Sequence, residues 1–563
     1  MVMKIRYLVL PGILLLGGMF LVGMSWMGWV FWKETFPGKP TDLHWAAGKG
    51  DTQAVRRLLE EGASINAVAA CTSKADNSTP LCLAAQGGQK GIVEILLANG
   101  ADVNKGRISP LSRAAERNHI DVAKLLLDNG AKPNKDKMGR SPTSLYLAAK
   151  NGFPDMVRLL IERGVNVRAE DPDRNPLRAA AFGGHSEVVE LLVTNGARVN
   201  GLPGCWPPLH AAARAGDAES IEILLEHGAD IHARNPVGLT SKDIAVEYGR
   251  EDAVKKLLSR GASIDSLRTA ALIGDLREIK VFLKGGSDVN STDTHGRGAL
   301  HYAAWAGKTE AAEYLLSKGA NLNAKDANGA TALHYATWGA HKKTVALILS
   351  KGAELDTIGG RDYEKGTALH FAVDAGNEDI AKLLVLGGCN VNIADGSRRT
   401  PLGIAIEGGL ARTVELLLEA GADPNAQYNI YNMSRIPLHR ALIIGSEETA
   451  ILLIEKGADV DSRDDVSGCT AFHYAVVLEC KYGDIARLLL SKGVDVNVRD
   501  NSGRTPLFYW AIECRCVDML TLLIDNGADV HAEDLSGKTA LDVAKEWGRR
   551  EAVRLLRKHG AED

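Results

Sequence analysis

The chain has no surplus of basic residues. Its 66 Lys and Arg are met by 70 Asp and Glu, a formal net charge of −4. No basic surface therefore advertises a nucleic-acid partner. Cysteine is sparse, with eight in 563 residues; that density makes no disulfide framework, and extracellular stapling is not how the fold is held. Aromatic residues are only 5%, while Ala, Leu and Gly are abundant, which suits small helices packed closely between tight turns. Catalytic signatures are missing as well. Nothing reads His-Glu-x-x-His or Gly-x-Ser-x-Gly, and no carboxylate pair stands out from the solvated acidic residues. Gly307-Lys308-Thr309 and Gly537-Lys538-Thr539 imitate the end of a phosphate-binding loop, but Tyr302 and Ala532 stand where its earlier glycine is required. No cofactor, metal or small-molecule substrate is implied.

What is present is repetition. Residues 298–305 read Gly-Ala-Leu-His-Tyr-Ala-Ala-Trp, and 331–338 read Thr-Ala-Leu-His-Tyr-Ala-Thr-Trp. A closing glycine recurs sixteen times between Gly62 and Gly560, a period of about 33 residues, in the range that marks a stacked solenoid. Each unit can be read physically. Thr79-Pro80-Leu81 and Thr505-Pro506-Leu507 place Thr as helix cap and Pro at the first helical position, where a missing N–H costs nothing. A second helix such as 343–350 carries Val345, Leu347, Ile348 and Leu349 to pack between neighbours. Gly352 then ends it in left-handed backbone.

These units resemble the ankyrin repeat, over about 41–563. Thr-Ala-Leu-His at 331–334 and 367–370, and Pro-Leu-His at 208–210 and 437–439, carry the resemblance. It implies an all-α solenoid of about 16 helix-turn-helix units with β-turn fingers on one side. It also implies that His44, His210, His301, His334, His370, His439 and His473 hydrogen-bond locally and to the adjacent unit. Metal binding by these histidines is disfavoured, because ligands must converge near 2.0–2.1 Å whereas stacked units set the residues in a row.

Two features interrupt the regularity. Gly261 and Gly286 are only 25 residues apart, and a finger is missing there. The unit before this break carries charges in the manner of a terminal cap, which suggests two stacks, 41–264 and 265–563; one continuous superhelix is the alternative. Loops at 67–78, 357–365 and 427–435 are longer than average. Cys71 with Cys82, or Cys469 with Cys480, could bridge in an oxidising compartment, and Cys514 and Cys516 form the tightest pair.

Ahead of the repeats, Tyr7 to Trp32 is a run of 26 residues without a charged side chain. As a helix it would be about 39 Å long, enough to cross a hydrocarbon core of ~30 Å. The expectation is a short basic tail at 1–6, a transmembrane signal anchor at 7–32 and a linker at 33–40. The competing reading is a cleaved signal peptide, against which the run is too long and no Ala-x-Ala site follows. Lys4, Arg6 and the amino terminus slightly outweigh Lys33 and Lys39, which favours the repeats on the non-cytoplasmic side of a single-pass membrane protein.

The resemblance further implies that the two residues after Ala-Ala, with the finger tips, line a concave binding surface. Leu272, Trp305 and Trp338 occupy equivalent slots in three consecutive units, where most others hold Gln86, Glu116, Lys150, Arg214, Asp374 or Glu407. Tryptophan is enriched among binding anchors, and packing between adjacent units is the competing explanation. Adjacent tips add Thr294, His295, Arg297, Ala327, Asn328 and Tyr363. The expected function is a non-enzymatic, membrane-anchored scaffold or adaptor that binds a protein partner of unidentified kind. The alternative is an exported effector or immunity factor; an enzyme with an unrecognised site stands behind both.

Overall fold

The computed structural model describes residues 42–69, 78–133, 143–168, 171, 174–202, 204–360, 365–430, 433–477, 483–513 and 517–562. These residues form helix pairs in succession, a first helix of seven or eight residues and a second of nine, as in Ala332–Trp338 with Lys342–Ser350. Such helices are marginal alone, and their stability comes from stacking. The first helix buries Ala332, Leu333, His334, Tyr335, Ala336 and Thr337, and the second Thr344, Val345 and Ile348. Gly352 ends the pair at φ +83°, a region open to glycine without steric cost.

Two caps recur along the chain. At Thr79, Ser109 and Thr400, each just before a helix-opening proline, the hydroxyl caps the helix, as when the Cys82 N–H donates to Thr79 Oγ1 at 3.2 Å. Where Ala-Leu-His opens it, the histidine caps from the third position: the Thr331 N–H donates to His334 Nδ1 at 3.1 Å. The other ring nitrogen, Nε2, then lies 3.2 Å from the Gly366 carbonyl in the next unit. His301, His370 and His473 repeat both contacts, and His44 and His210 make the second. His439 fills the same buried slot but, among the described residues, makes neither of these two contacts. Burial lowers the pKa of each of these histidines, to about 4 for His334, His439 and His473. They are neutral spacers in the stack.

The chain divides into two compact units, one ending at Thr269 and the other beginning at Ala270. Within the first, the helix Glu251–Ser259 is followed by a short link with no finger before Leu267. Lys242, 4% exposed, ties that link down through ion pairs to Asp243 and Asp265 and a 3.1 Å bond to the Ser263 carbonyl. Within the second, the long finger at 427–435 forms a two-stranded antiparallel hairpin, β1 (Tyr428–Ile430) with β2 (Met433–Arg435), so among the described residues the helical fold carries one small sheet.

The expectation of a single-pass membrane protein is corrected. No helix among the described residues is long and apolar enough to cross a membrane. The physical reason is length: helices of seven to nine residues rise only about 14 Å, under half of a ~30 Å hydrocarbon core. The tail 1–6, the segment 7–32 and the linker 33–40 lie outside the described residues.

Candidate functional site

In the unit that begins at Ala270, the ends of successive first helices and the finger tips beside them border one open groove of about 1620 Å³. Drug-sized ligands occupy pockets of about 300–1,000 Å³, so this trough is scaled to a polypeptide segment. Trp305 and Trp338 line it, with His295, Arg297 and Asn328 from the fingers.

The tryptophans belong to a ladder of rings. Trp305 lies 5.5 Å from Tyr335, Tyr335 5.0 Å from Trp338, and Trp338 5.1 Å from Phe371, the last two edge to face. Such contacts are favourable in themselves. Packing therefore accounts for part of each tryptophan, yet Trp338 keeps 41% of its surface exposed and Trp305 is half-buried. The two explanations coexist: one face of each ring supports the stack and the remainder faces the groove.

The charged groups around this ledge are held in fixed pairs. Arg297 donates to Asp293 at 2.8–2.9 Å, and the Tyr302 hydroxyl donates to the same carboxylate at 2.7 Å. Burial alone would raise the Asp293 carboxyl, but the Tyr302 hydroxyl and Arg297 outweigh it and hold it below the usual range. Arg399 donates to Asp395 at 2.7 Å and approaches Asp374 at 3.5 Å. Arg440 grips Glu407 through two 2.7 Å bonds, a bidentate geometry that fixes orientation; these bonds raise the Arg440 pKa. Tyr335 donates to Asp326 at 2.7 Å, and burial followed by that bond pushes the Tyr335 phenol up. Fixed pairs of this kind leave the groove a shaped surface of rings and polar edges. Among the described residues no group of three His, Cys, Asp or Glu is placed to hold a metal ion.

Five of the nine residues expected from the sequence thus meet in the groove: His295, Arg297, Trp305, Asn328 and Trp338. Thr294 and Ala327 are exposed at the finger tips beside it. Leu272 is a correction. It is fully buried and offers a partner no surface, although it shares the slot of the tryptophans. Tyr363 lies outside the described residues, as do Cys71, Cys480, Cys514 and Cys516; Cys205, Cys389 and Cys469 are free thiols.

Sequence reasoning missed Phe371, Arg398 and Tyr428 as groove residues and took Asp374 and Glu407 for ordinary slots. A signal for Tyr428 existed. Thr400-Pro401-Leu402-Gly403 puts glycine where the motif has histidine, and the Tyr428 ring fills the vacated space so closely that a Cβ on Gly403 would lie 2.5 Å from it. Its hydroxyl then donates to Glu407 at 3.1 Å.

Comparison with known proteins matches this architecture. The family described as "Ankyrin repeats (3 copies)" matches residues 43–137, 111–202, 200–268, 267–359, 356–428, 426–500 and 480–563. The chain is 47% identical over 180 residues to the potassium channel GORK of Arabidopsis thaliana, covering 32% of this chain and 20% of the channel. It is 43% identical to mouse Rabankyrin-5 over a stretch covering 11% of this chain and 6% of that protein. The chain therefore spans a fifth or less of these curated relatives. The ankyrin repeat domain of human ASB11 aligns at 29% identity with a TM-score of 0.36, covering 40% of this chain and 99% of that one. The matches to the repeat family run without interruption from residue 43 to residue 563, and the chain belongs to the ankyrin-repeat family.

Proposed function

We propose that this chain is a non-catalytic adaptor or scaffold that holds a segment of a protein partner in the groove of the unit beginning at Ala270. Ankyrin repeats are protein–protein interaction modules, and what supports this particular surface is the ledge of Trp305, Trp338 and Phe371. A partly exposed Trp338, backed by rings at 5.0–5.1 Å on two sides, is a rigid anchor that loses little side-chain freedom on binding. The fingers add polar edges and the paired charges form a rim. The test is capture of partner proteins by the full chain and by a Trp305→Ala, Trp338→Ala variant. Loss of capture with helical content unchanged supports the reading; capture at wild-type strength by a folded variant would remove the ledge from the interface.

A further inference from the structure

One finger of this unit departs from its neighbours at a single slot. In the fingers at 293–298 and 395–400, the residue four after the aspartate donates its N–H to that carboxylate, Arg297 to Asp293 at 2.9 Å and Arg399 to Asp395 at 2.7 Å. The residue just before it is Gly296 in the first case and Arg398 in the second. Gly296, Gly329 and Gly503 fill this slot at φ +76°, +81° and +78°, and a Cβ on any of them would meet the next finger at 2.9–3.0 Å. Arg398 sits there at φ +60°, in left-handed backbone that a side chain disfavours. Departures of this kind gather at functional sites. The finger that follows is the β1–β2 hairpin, and Arg398 remains exposed while lining the groove.

Its charge is as unusual as its backbone. Arg297, Arg399 and Arg440 are each fixed on a carboxylate, whereas among the described residues no hydrogen bond or ion pair engages the Arg398 guanidinium. Among the described residues, the groove thus offers Arg398 as an uncommitted cation together with an aromatic ledge. We propose that Arg398 selects the partner: the bound segment is a peptide with an Asp or Glu side chain on the Arg398 guanidinium and a large apolar side chain against Trp338 and Phe371. This rests on the groove being the protein-binding surface. A carboxylate suits the site better than a phosphate, because among the described residues Arg398 alone of the arginines lining the groove is not fixed on a carboxylate, and Asp374, 60% exposed on its side chain, lines the same groove; a dianion would be repelled more strongly than a monoanion.

A random twelve-residue display library panned over the full chain, over R398G and over W338A tests this. The expected wild-type selection is enriched in peptides carrying Asp or Glu at a fixed spacing from a large apolar residue. R398G restores the residue that other fingers use; it should raise the melting temperature by about 2 °C and lose the acidic preference while keeping the apolar one. W338A should lose the apolar one. For a selected peptide, Glu→Gln should weaken binding about tenfold to the wild type and leave binding to R398G unchanged. Enrichment of basic peptides, equal loss on Glu→Gln in both proteins, or tenfold tighter binding when phosphoserine replaces the acidic residue would each overturn the assignment of Arg398 to a carboxylate. Peptides that bind W305A, W338A and wild type alike would instead overturn the groove itself, so the two failures are distinguishable.

Discussion

The unit ending at Thr269 and the unit beginning at Ala270 are made of the same repeat but use its variable slots differently. In the first, the histidine slot of successive repeats holds Cys82, Ser112, Tyr146 and Arg178 between His44 and His210. In the second, His301, His334, His370 and His473 cap their own helices and reach the next repeat. Its fingers are also tied to each other, the Ala327 N–H donating to the His295 carbonyl at 2.8 Å and the Leu535 N–H to Ser502 at 2.9 Å. The first unit exposes an aromatic residue too: Phe182 is 53% exposed. Its ring, however, holds the Arg214 guanidinium at 5.0 Å, with Tyr248 on Arg214 at 4.8 Å. Aromatic exposure alone therefore does not define a binding ledge. What distinguishes Trp338 from Phe182 is that its neighbours are other rings and that, among the described residues, no cation sits over it.

The largest expected effect breaks that contrast most sharply. Trp338→Ala should weaken partner capture by roughly 30-fold or more, in keeping with anchor residues worth about 2 kcal/mol or above, while Phe182→Ala leaves capture unchanged. Titrated capture by the two purified variants checks this, and equal losses would erase the distinction.

Acid sharpens it next. Burial holds the His334 and His473 pKa near 4 against an ordinary 6.5. A depressed folded pKa means stability that is fully present above pH 6.5 and is lost as pH falls toward 4, with a ceiling of about 3 kcal/mol for a nearly fully buried histidine such as His334. Five such histidines lie beyond Ala270 and two before Thr269. Amide exchange at pH 7 and pH 5 should therefore show the second unit losing protection first. A His334→Gln, His473→Gln variant should lose less on acidification, though it starts from lower stability.

Smaller changes follow from packing. Gly403→Ala must displace the Tyr428 ring and should cost about 1–3 kcal/mol, visible as a lower melting temperature of the second unit. At the other extreme, Arg158 and Glu187 in the first unit are 51% and 63% exposed at 3.5 Å. Arg158→Ala should change denaturant stability by less than about 0.5 kcal/mol.

Most of the repeat is legible in the sequence, because its signals are local. Proline after Thr79, the cap that a histidine makes from the third helical position and a left-handed glycine such as Gly352 each act within one unit. The tryptophans were legible for a related reason, since nothing in the motif calls for them. What escaped sequence reasoning depends on neighbours. Leu272 shares their slot and is buried, and the fixing of Arg297 on Asp293 under the Tyr302 hydroxyl takes three residues across a turn. Tyr428 reaches from one finger into the gap left by Gly403 in the preceding repeat, a relation no single unit states. Arg398 was passed over because a charged finger tip is ordinary in composition and unusual only in its backbone.

The central claim is that the ringed groove, and no other face, receives the partner. Amide exchange of the full chain, alone and with a captured partner, measures this directly. The account predicts slowed exchange at 293–298, 326–331 and 395–400 and at the ends of the helices Ala332–Trp338 and Ala368–Asp374. Slowing confined to residues before Thr269, with those fingers unchanged, would contradict it.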